Sequence, residues 1–110
     1  MTDTIAAIAT PYGSGGIGVI RISGPKAFDI ASKIFSKKKN KPCGHIKFDS
    51  HRVYHGYIFD TKSKDILDEV LLIPMQGPSS YTAEDVVEIQ AHSGTIVLRT
   101  LLNEILSQGA

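Results

Sequence analysis

The chain is poor in cysteine and has no tryptophan: Cys43 is its single cysteine in 110 residues. One cysteine excludes an intramolecular disulfide and a cysteine-rich zinc cluster, and it fits a reducing cytoplasm. No apolar run approaches the length of a transmembrane helix, and the N-terminal segment lacks the basic and apolar regions of a signal peptide. We therefore expect a cytoplasmic protein that does not associate with a membrane.

Net charge is also small. Twelve Lys and Arg residues stand against eleven Asp and Glu residues, which gives a formal net charge of +1. This balance does not predict strong nonspecific binding to nucleic acid. The apolar fraction of 42% is ordinary for a globular protein, and 110 residues suffice for one modest core. No repeat, low-complexity segment or long linker divides the sequence, so we expect a single domain over residues 1–110.

The spacing of apolar residues predicts the element order β-β-α-β-β-β-α. The predicted strands, of which the third and fourth form a hairpin, are Thr4–Thr10, Ile17–Ser23, Arg52–Asp60, Ile66–Met75 and Val86–His92. A first helix is predicted to begin at Pro25 and to end in Lys37–Lys39, and a second to span Thr95–Ser107. We expect an α+β fold with a mixed, mostly antiparallel sheet of about five strands and two main helices.

Glycines concentrate between the first two predicted strands, where Gly13–Gly18 matches the pattern G-x-G-x-x-G. A dinucleotide-binding fingerprint requires a helix after the glycines, whereas a strand follows them here, so that site is not predicted. Two interpretations remain open: a tight turn that needs positive φ, or a loop whose backbone at Gly15 and Gly16 approaches a flat ligand. The P-loop pattern G-x-x-x-x-G-K-[ST] does not occur in the sequence.

Two charged residues, Arg21 and Glu84, are candidates for ligand binding. Arg21 interrupts an apolar strand on the face that it shares with Ser23; its guanidinium either lies in water or is held ready for a carboxylate or a ring oxygen. Glu84 follows Tyr81 and Thr82 and belongs either to a solvated turn or to a ligand site. In a site, its carboxylate would accept two N–H bonds from an amino-pyrimidine edge, and Tyr81 would stack on the same ring.

Other clusters of polar residues give weaker signals. His51 and His55 are four residues apart, which on a strand separates them by about 13 Å, so no metal site is predicted. Lys37–Lys39 and Lys41 form a basic run without interleaved aromatic residues, which favours a solvated helix end over an RNA contact. The sequence offers no nucleophile with a matched base, and no catalytic residue is predicted.

Two segments, Asp3–Gly24 and Pro78–Gly94, resemble the N-terminal domain of the MnmE family of tRNA-modification GTPases, also called TrmE. The family patterns are close to DTI-A-ATP-G-GGIG-IRISG and P-S-[YF]-T-G-E-D-V-E-I-HGG, and with their spacing they cover essentially the whole chain. Ser14 stands where the family often has arginine, and Ala83 replaces the usual glycine before Glu84. The end of the second segment is also less rich in histidine and glycine. These departures concern loop geometry rather than the family.

The resemblance implies a domain with the tetrahydrofolate-binding fold of the glycine-cleavage T protein. Such a domain binds 5-formyl- or 5,10-methylene-tetrahydrofolate and forms a homodimer. The family's folate-contacting arginine and glutamate fall on Arg21 and Glu84, and its other ligand residues lie beyond residue 110. The alternatives are a purely structural dimerisation module without a ligand and, ranked last, a self-sufficient small enzyme.

The resemblance also implies a larger parent protein. Its helical domain, its inserted G domain with GTP, magnesium and potassium sites, and its C-terminal cysteine motif would all follow this segment, so Ala110 is expected to be a domain boundary. With an FAD-dependent partner of the MnmG type, such an enzyme modifies carbon 5 of the wobble uridine in certain tRNAs.

Overall fold

The computed structural model describes residues 3–9, 16–39, 46–77, 84–92 and 94–110. The described strands are β1 (Ile5–Ile8), β2 (Ile17–Ser23), β3 (Phe35–Ser36), β4 (Tyr54–Phe59), β5 (Ile66–Met75) and β6 (Val86–His92); the helices are α1 (Ala27–Ile34) and α2 (Thr95–Ser107). The expected α+β class is confirmed, with one strand more than expected. Neither of the described helices is long and apolar enough to cross a membrane.

The six strands form one sheet in the order β1-β2-β6-β5-β4-β3, and every pairing among them is antiparallel. The hairpin predicted between the third and fourth strands is confirmed as β4 and β5. Asp60 closes its turn by accepting the backbone N–H groups of Ser63 and Lys62. These two bonds, that from Ser63 foremost, lower the pKa of Asp60 because they favour the charged carboxylate.

One face of the sheet, called here the core face, packs against both helices. Because side chains alternate along a strand, every second residue of the central strands points into this core. The core face contributes Ile20, Ile22, Val70, Leu72, Val87, Ile89 and Ala91, and the helices contribute Ala27, Ile30, Ala31, Ile34, Leu98, Leu101 and Ile105. No helix of the described ranges packs on the opposite face, called here the open face, which carries Arg21 and its neighbours.

The first helix is shorter than predicted. It begins at Ala27 rather than at Pro25, after a turn in which Gly24 has φ +138° and the N–H of Lys26 donates to the Thr4 hydroxyl at 3.0 Å. It ends at Ile34 rather than in the lysines, because Phe35 turns to extended geometry and pairs with Ile58 across β3 and β4. The fully buried Phe35 ring thereby joins the core, so tertiary pairing overrides the helical pattern.

Gly56 on β4 supports this edge of the sheet through close packing. A Cβ atom at Gly56 would fall on the Ser36 carbonyl oxygen and on the Phe35 ring. We therefore predict that Gly56→Ala lowers the free energy of unfolding by about 1–3 kcal/mol, measured by urea denaturation. Gly16→Ala is the matched control, since a Cβ there meets nothing within 4 Å. Equal stability of the two variants would contradict the packing described here.

Candidate functional site

The pairing of β2 with β6 builds the candidate site on the open face. Arg21 lies opposite Glu88, and Ser23 lies opposite Val86. The fully buried Ile20 and Ile22 point the other way, as the strand pattern predicted. An apolar strand therefore presents one guanidinium to the open face while it anchors both neighbouring side chains in the core.

Glu88 holds Arg21 in place. The Arg21 Nε atom donates to Glu88 Oε1 at 3.4 Å, and the Gln90 amide donates to Glu88 Oε2 at 3.0 Å. The Arg21 side chain is 45% exposed, whereas that of Glu88 is only 9% exposed. A buried carboxylate thus orients a half-exposed cation on a rigid strand, which suits recognition of an anionic group in solvent.

Ser23 brings Glu84 to the same strand. The Ser23 hydroxyl donates to Glu84 Oε2 at 3.1 Å, and Ser23 itself is buried. Ser23 and Arg21 are two residues apart on one face of β2, a separation of about 7 Å. The two charged residues singled out in the sequence therefore lie in one region of the open face, although 63 positions separate Glu84 from Arg21 along the chain.

Asp85 connects Gly77 with the turn that follows β2. Its side chain accepts the N–H of Gly77 at 3.0 Å, and its carbonyl oxygen accepts the N–H of Gly24 at 2.9 Å. These two bonds hold Gly77 and Asp85 close to the turn that follows β2. Tyr81 and Thr82, which were predicted as ligand contacts, lie outside the described residues, as does Gly15.

Of Gly15 and Gly16, the two glycines predicted as ligand contacts, the structure describes Gly16. It is exposed, and its Cα faces open space. With Ile17, Leu71 and Gln90 it lines a cleft of about 270 Å³ at the far end of β2 from Ser23. The backbone there is accessible to a ligand, as the sequence interpretation requires, but no positive φ is recorded for Gly16.

Two histidines, His55 and His92, line the same cleft, each beside a carboxylate. His92 Nδ1 lies 2.7 Å from Asp68 Oδ1, and His55 Nε2 pairs with Glu69. His51, in contrast, lies at φ +62° in a turn before β4. Within the described ranges, no group of three or more His, Cys, Asp or Glu side chains is arranged to hold a metal ion.

Sequence reasoning missed Glu88, Gln90 and Ser23 as site residues. Glu88 and Gln90 alternate with apolar residues along a predicted half-exposed strand, and Ser23 was noted only because it shares a face with Arg21. The signal that could have found them is the register: pairing Ile17–Ser23 with Val86–His92 end to end places Arg21 opposite Glu88. That register depends on a contact between residues 67 positions apart, which no local pattern specifies.

Comparison with known proteins assigns the class of this domain. Residues 4–110 match the family model described as the GTP-binding protein TrmE N-terminus, and the chain belongs to this family. It is 51% identical over 107 residues to the tRNA modification GTPase MnmE of Geotalea uraniireducens, covering 97% of this chain and 22% of that protein.

Two further relatives carry the same name. The tRNA modification GTPase MnmE of Acetivibrio thermocellus is 48% identical over 108 residues, which covers 98% of this chain and 23% of that protein. The MnmE of Desulforamulus reducens is 48% identical over 110 residues, which covers 100% of this chain and 23% of the relative. The chain therefore spans less than a quarter of the length of these relatives.

We predict that Arg21 and Glu88 stabilise the fold cooperatively. In a double-mutant cycle with Arg21→Met and Glu88→Gln, the coupling energy should be about 1 kcal/mol, because the carboxylate is largely desolvated. The exposed pair of Arg52 and Asp49, with 3.3 Å between Nη1 and Oδ2, is the control and should couple by less than about 0.5 kcal/mol. Urea denaturation of each variant measures both values, and a coupling near zero for Arg21 and Glu88 would refute this role.

Proposed function

We propose that this chain is the tetrahydrofolate-binding and homodimerisation domain of a GTP-hydrolysing tRNA-modification enzyme of the cytoplasm. The observation that carries the proposal is that Arg21 on β2 and Glu84, which accepts the hydroxyl of Ser23 on the same strand, lie in one region of the open face. One is positioned by Glu88 and the other by Ser23. A fold that served only as scaffold would not need a cation on a strand and an anion bound to the same strand through a serine.

The chemistry of a reduced folate matches this pair. Its pterin ring presents adjacent N–H donors that a carboxylate such as Glu84 accepts as two parallel bonds, and its glutamate tail presents carboxylates for Arg21. The Ser23 hydroxyl would keep the Glu84 carboxylate turned toward the open face. The proposed ligand is 5-formyl- or 5,10-methylene-tetrahydrofolate, with backbone approach at Gly16 and contacts from Gly15, Tyr81 and Thr82.

The activity of the whole protein belongs to the same proposal. The relatives named tRNA modification GTPase are more than four times as long as this chain, so GTP hydrolysis and its magnesium and potassium ions are assigned to segments outside it. The proposed reaction is modification of carbon 5 of the wobble uridine of tRNA, together with an FAD-dependent partner of the MnmG type. In this scheme the domain supplies the one-carbon ligand.

We predict that Glu84→Gln weakens binding of 5-formyltetrahydrofolate about tenfold or more, because a charged acceptor of two hydrogen bonds becomes a neutral one. Calorimetric titration measures the affinity, and amide NMR shifts locate the ligand on the chain. The control is Glu104→Gln on α2, whose carboxylate accepts the Thr61 hydroxyl away from the open face. Both variants are to be compared in this chain and in the longer protein that contains it. Unchanged affinity of Glu84→Gln in the longer protein would refute the assignment of Glu84.

The open face also supports the proposed dimer. Ile17 is 60% exposed and Leu71 is 39% exposed, and both point away from the core face. Large aliphatic side chains that share a face with a ligand site are typical of surfaces that bury against a partner. A second copy packed there would face the first across a twofold axis and would place two folate sites near one interface.

We predict that Ile17→Asp combined with Leu71→Asp shifts the chain toward monomer in sedimentation velocity, because two charges would have to be desolvated in the interface. Ile96→Asp is the control: Ile96 is 82% exposed but lies on α2, on the other side of the sheet. A dimer that persists in the double variant would place the interface elsewhere. A dimer that forms without any folate response, in this chain and in the longer protein, would favour the purely structural module.

A further inference from the structure

The small net charge of the chain conceals a strong separation of charge. Residues 33–52 contain seven of the twelve Lys and Arg residues but only one of the eleven Asp and Glu residues. This segment therefore carries a formal charge of +6, and the remaining ninety residues carry −5. Such asymmetry within one domain creates a local positive potential that the net charge does not reveal.

The structure places three lysines of this basic segment at one edge of the sheet. Lys37, Lys38 and Lys39 directly follow β3, the last strand in the sheet order, and all three are exposed. The buried Ser36 hydroxyl accepts the N–H of Lys38 at 3.2 Å and lies 3.1 Å from its carbonyl oxygen. The lysines thus lie on a turn after β3 rather than on the solvated helix end that the sequence predicted.

Two aromatic rings fix the lysine side chains. The Lys37 ammonium lies 5.1 Å from the centre of the Tyr54 ring, and the Lys39 ammonium lies 5.7 Å from that of Tyr57. Tyr54 and Tyr57 are three residues apart on β4 and therefore point to opposite faces of the sheet. The lysines consequently reach around the edge, one on each face, and the aromatic residues missing from the basic run itself come from the neighbouring strand.

The edge is also positioned for contact with an anion. Among the described residues, no carboxylate forms an ion pair with Lys37, Lys38 or Lys39. Cation–π contacts leave the ammonium charge intact while they restrict its position. Tyr57 is itself half-buried, and its ring lies edge-on to His55 at 5.7 Å, so this edge combines cations with aromatic surface. Cations interleaved with aromatic rings are the composition that RNA-binding surfaces use.

We propose that this basic edge, formed by Lys37, Lys38, Lys39 and Tyr57, is a docking surface for the phosphodiester backbone of the tRNA substrate. The inference rests on the proposed role in tRNA modification and deepens it by assigning the RNA contact to the β3 side of the domain. β6, β5 and β4 separate this edge from Arg21 on β2, so RNA and folate would occupy different parts of the sheet. Three ammonium groups on one turn give electrostatic affinity without base specificity.

The test measures binding of the chain to a tRNA transcript by fluorescence anisotropy between 50 and 200 mM KCl. Replacing Lys37, Lys38 and Lys39 together by Gln should weaken binding about tenfold or more at the lower salt. It should also reduce the slope of log affinity against log salt by about one unit for each lysine that contacts a phosphate. Tyr57→Leu should weaken binding less, because it removes only the ring that positions Lys39.

The control removes the same charge elsewhere. A triple variant with Lys26→Gln, Lys62→Gln and Arg99→Gln replaces three exposed cations outside the edge and should change the affinity by less than about threefold. Urea denaturation verifies that each variant folds. Equal loss in both triple variants, or no loss in the Lys37–Lys39 variant, would overturn the proposal, as would the absence of salt-dependent binding by the unsubstituted chain at about 100 μM.

Two further measurements distinguish this proposal from a purely protective role of the lysines and from the folate assignment. Lysines on a sheet edge also prevent strands from pairing between molecules. If that were their only role, the Lys37–Lys39 variant would aggregate while its RNA affinity stayed unchanged, which would overturn the docking surface. Folate titration of the same variant should give unchanged affinity. If the Lys37–Lys39 variant keeps its RNA affinity while Glu84→Gln weakens folate binding, the docking surface alone is refuted. If the Lys37–Lys39 variant loses RNA affinity while Glu84→Gln binds folate unchanged, the folate assignment alone is refuted.

Discussion

The antiparallel pairing of β2 with β6 is the constraint on which the rest of the structure depends. It joins the two segments that flank the middle of the chain, and it runs without interruption from Ile17 and His92 to Ser23 and Val86. On the core face it aligns Ile20 with Ile89, and both side chains belong to the apolar core that the two helices complete. On the open face it aligns Arg21 with Glu88. Stability and the candidate site therefore depend on the same set of backbone hydrogen bonds.

The two faces of the sheet carry different functions because side chains alternate along each strand. The core face is apolar and is covered by α1 and α2, so it tolerates few changes in volume. The open face is not needed for packing against the helices and accommodates charged and polar side chains: Arg21 and Glu84 at the end of β2 near Ser23, and the histidine-lined cleft at the other end. The edge at β3 is a third surface, and its charge is of one sign.

Much of the fold could be predicted from local patterns. Strands β2, β5 and β6 and helix α2 have the bounds that their apolar periodicity indicated, since each buries a continuous or regularly spaced apolar set. The end of α1 could not be predicted in this way. Phe35 continues the helical spacing, and only its pairing with Ile58, supplied by a strand more than twenty residues away, makes extended geometry favourable. The lysines after it were assigned to a helix end for the same reason.

The sequence by itself determined the family, the α+β class and the two charged residues of the candidate site, because local motifs and the local spacing of apolar residues indicate them. Tertiary structure alone decided their partners. Glu88 contacts Arg21 across 67 positions, Ser23 contacts Glu84 across 61, and the tyrosines beneath Lys37 and Lys39 come from another strand. The physical reason is that the register of nonlocal strands sets these contacts, and register follows from how the whole sheet buries its core face rather than from any single segment.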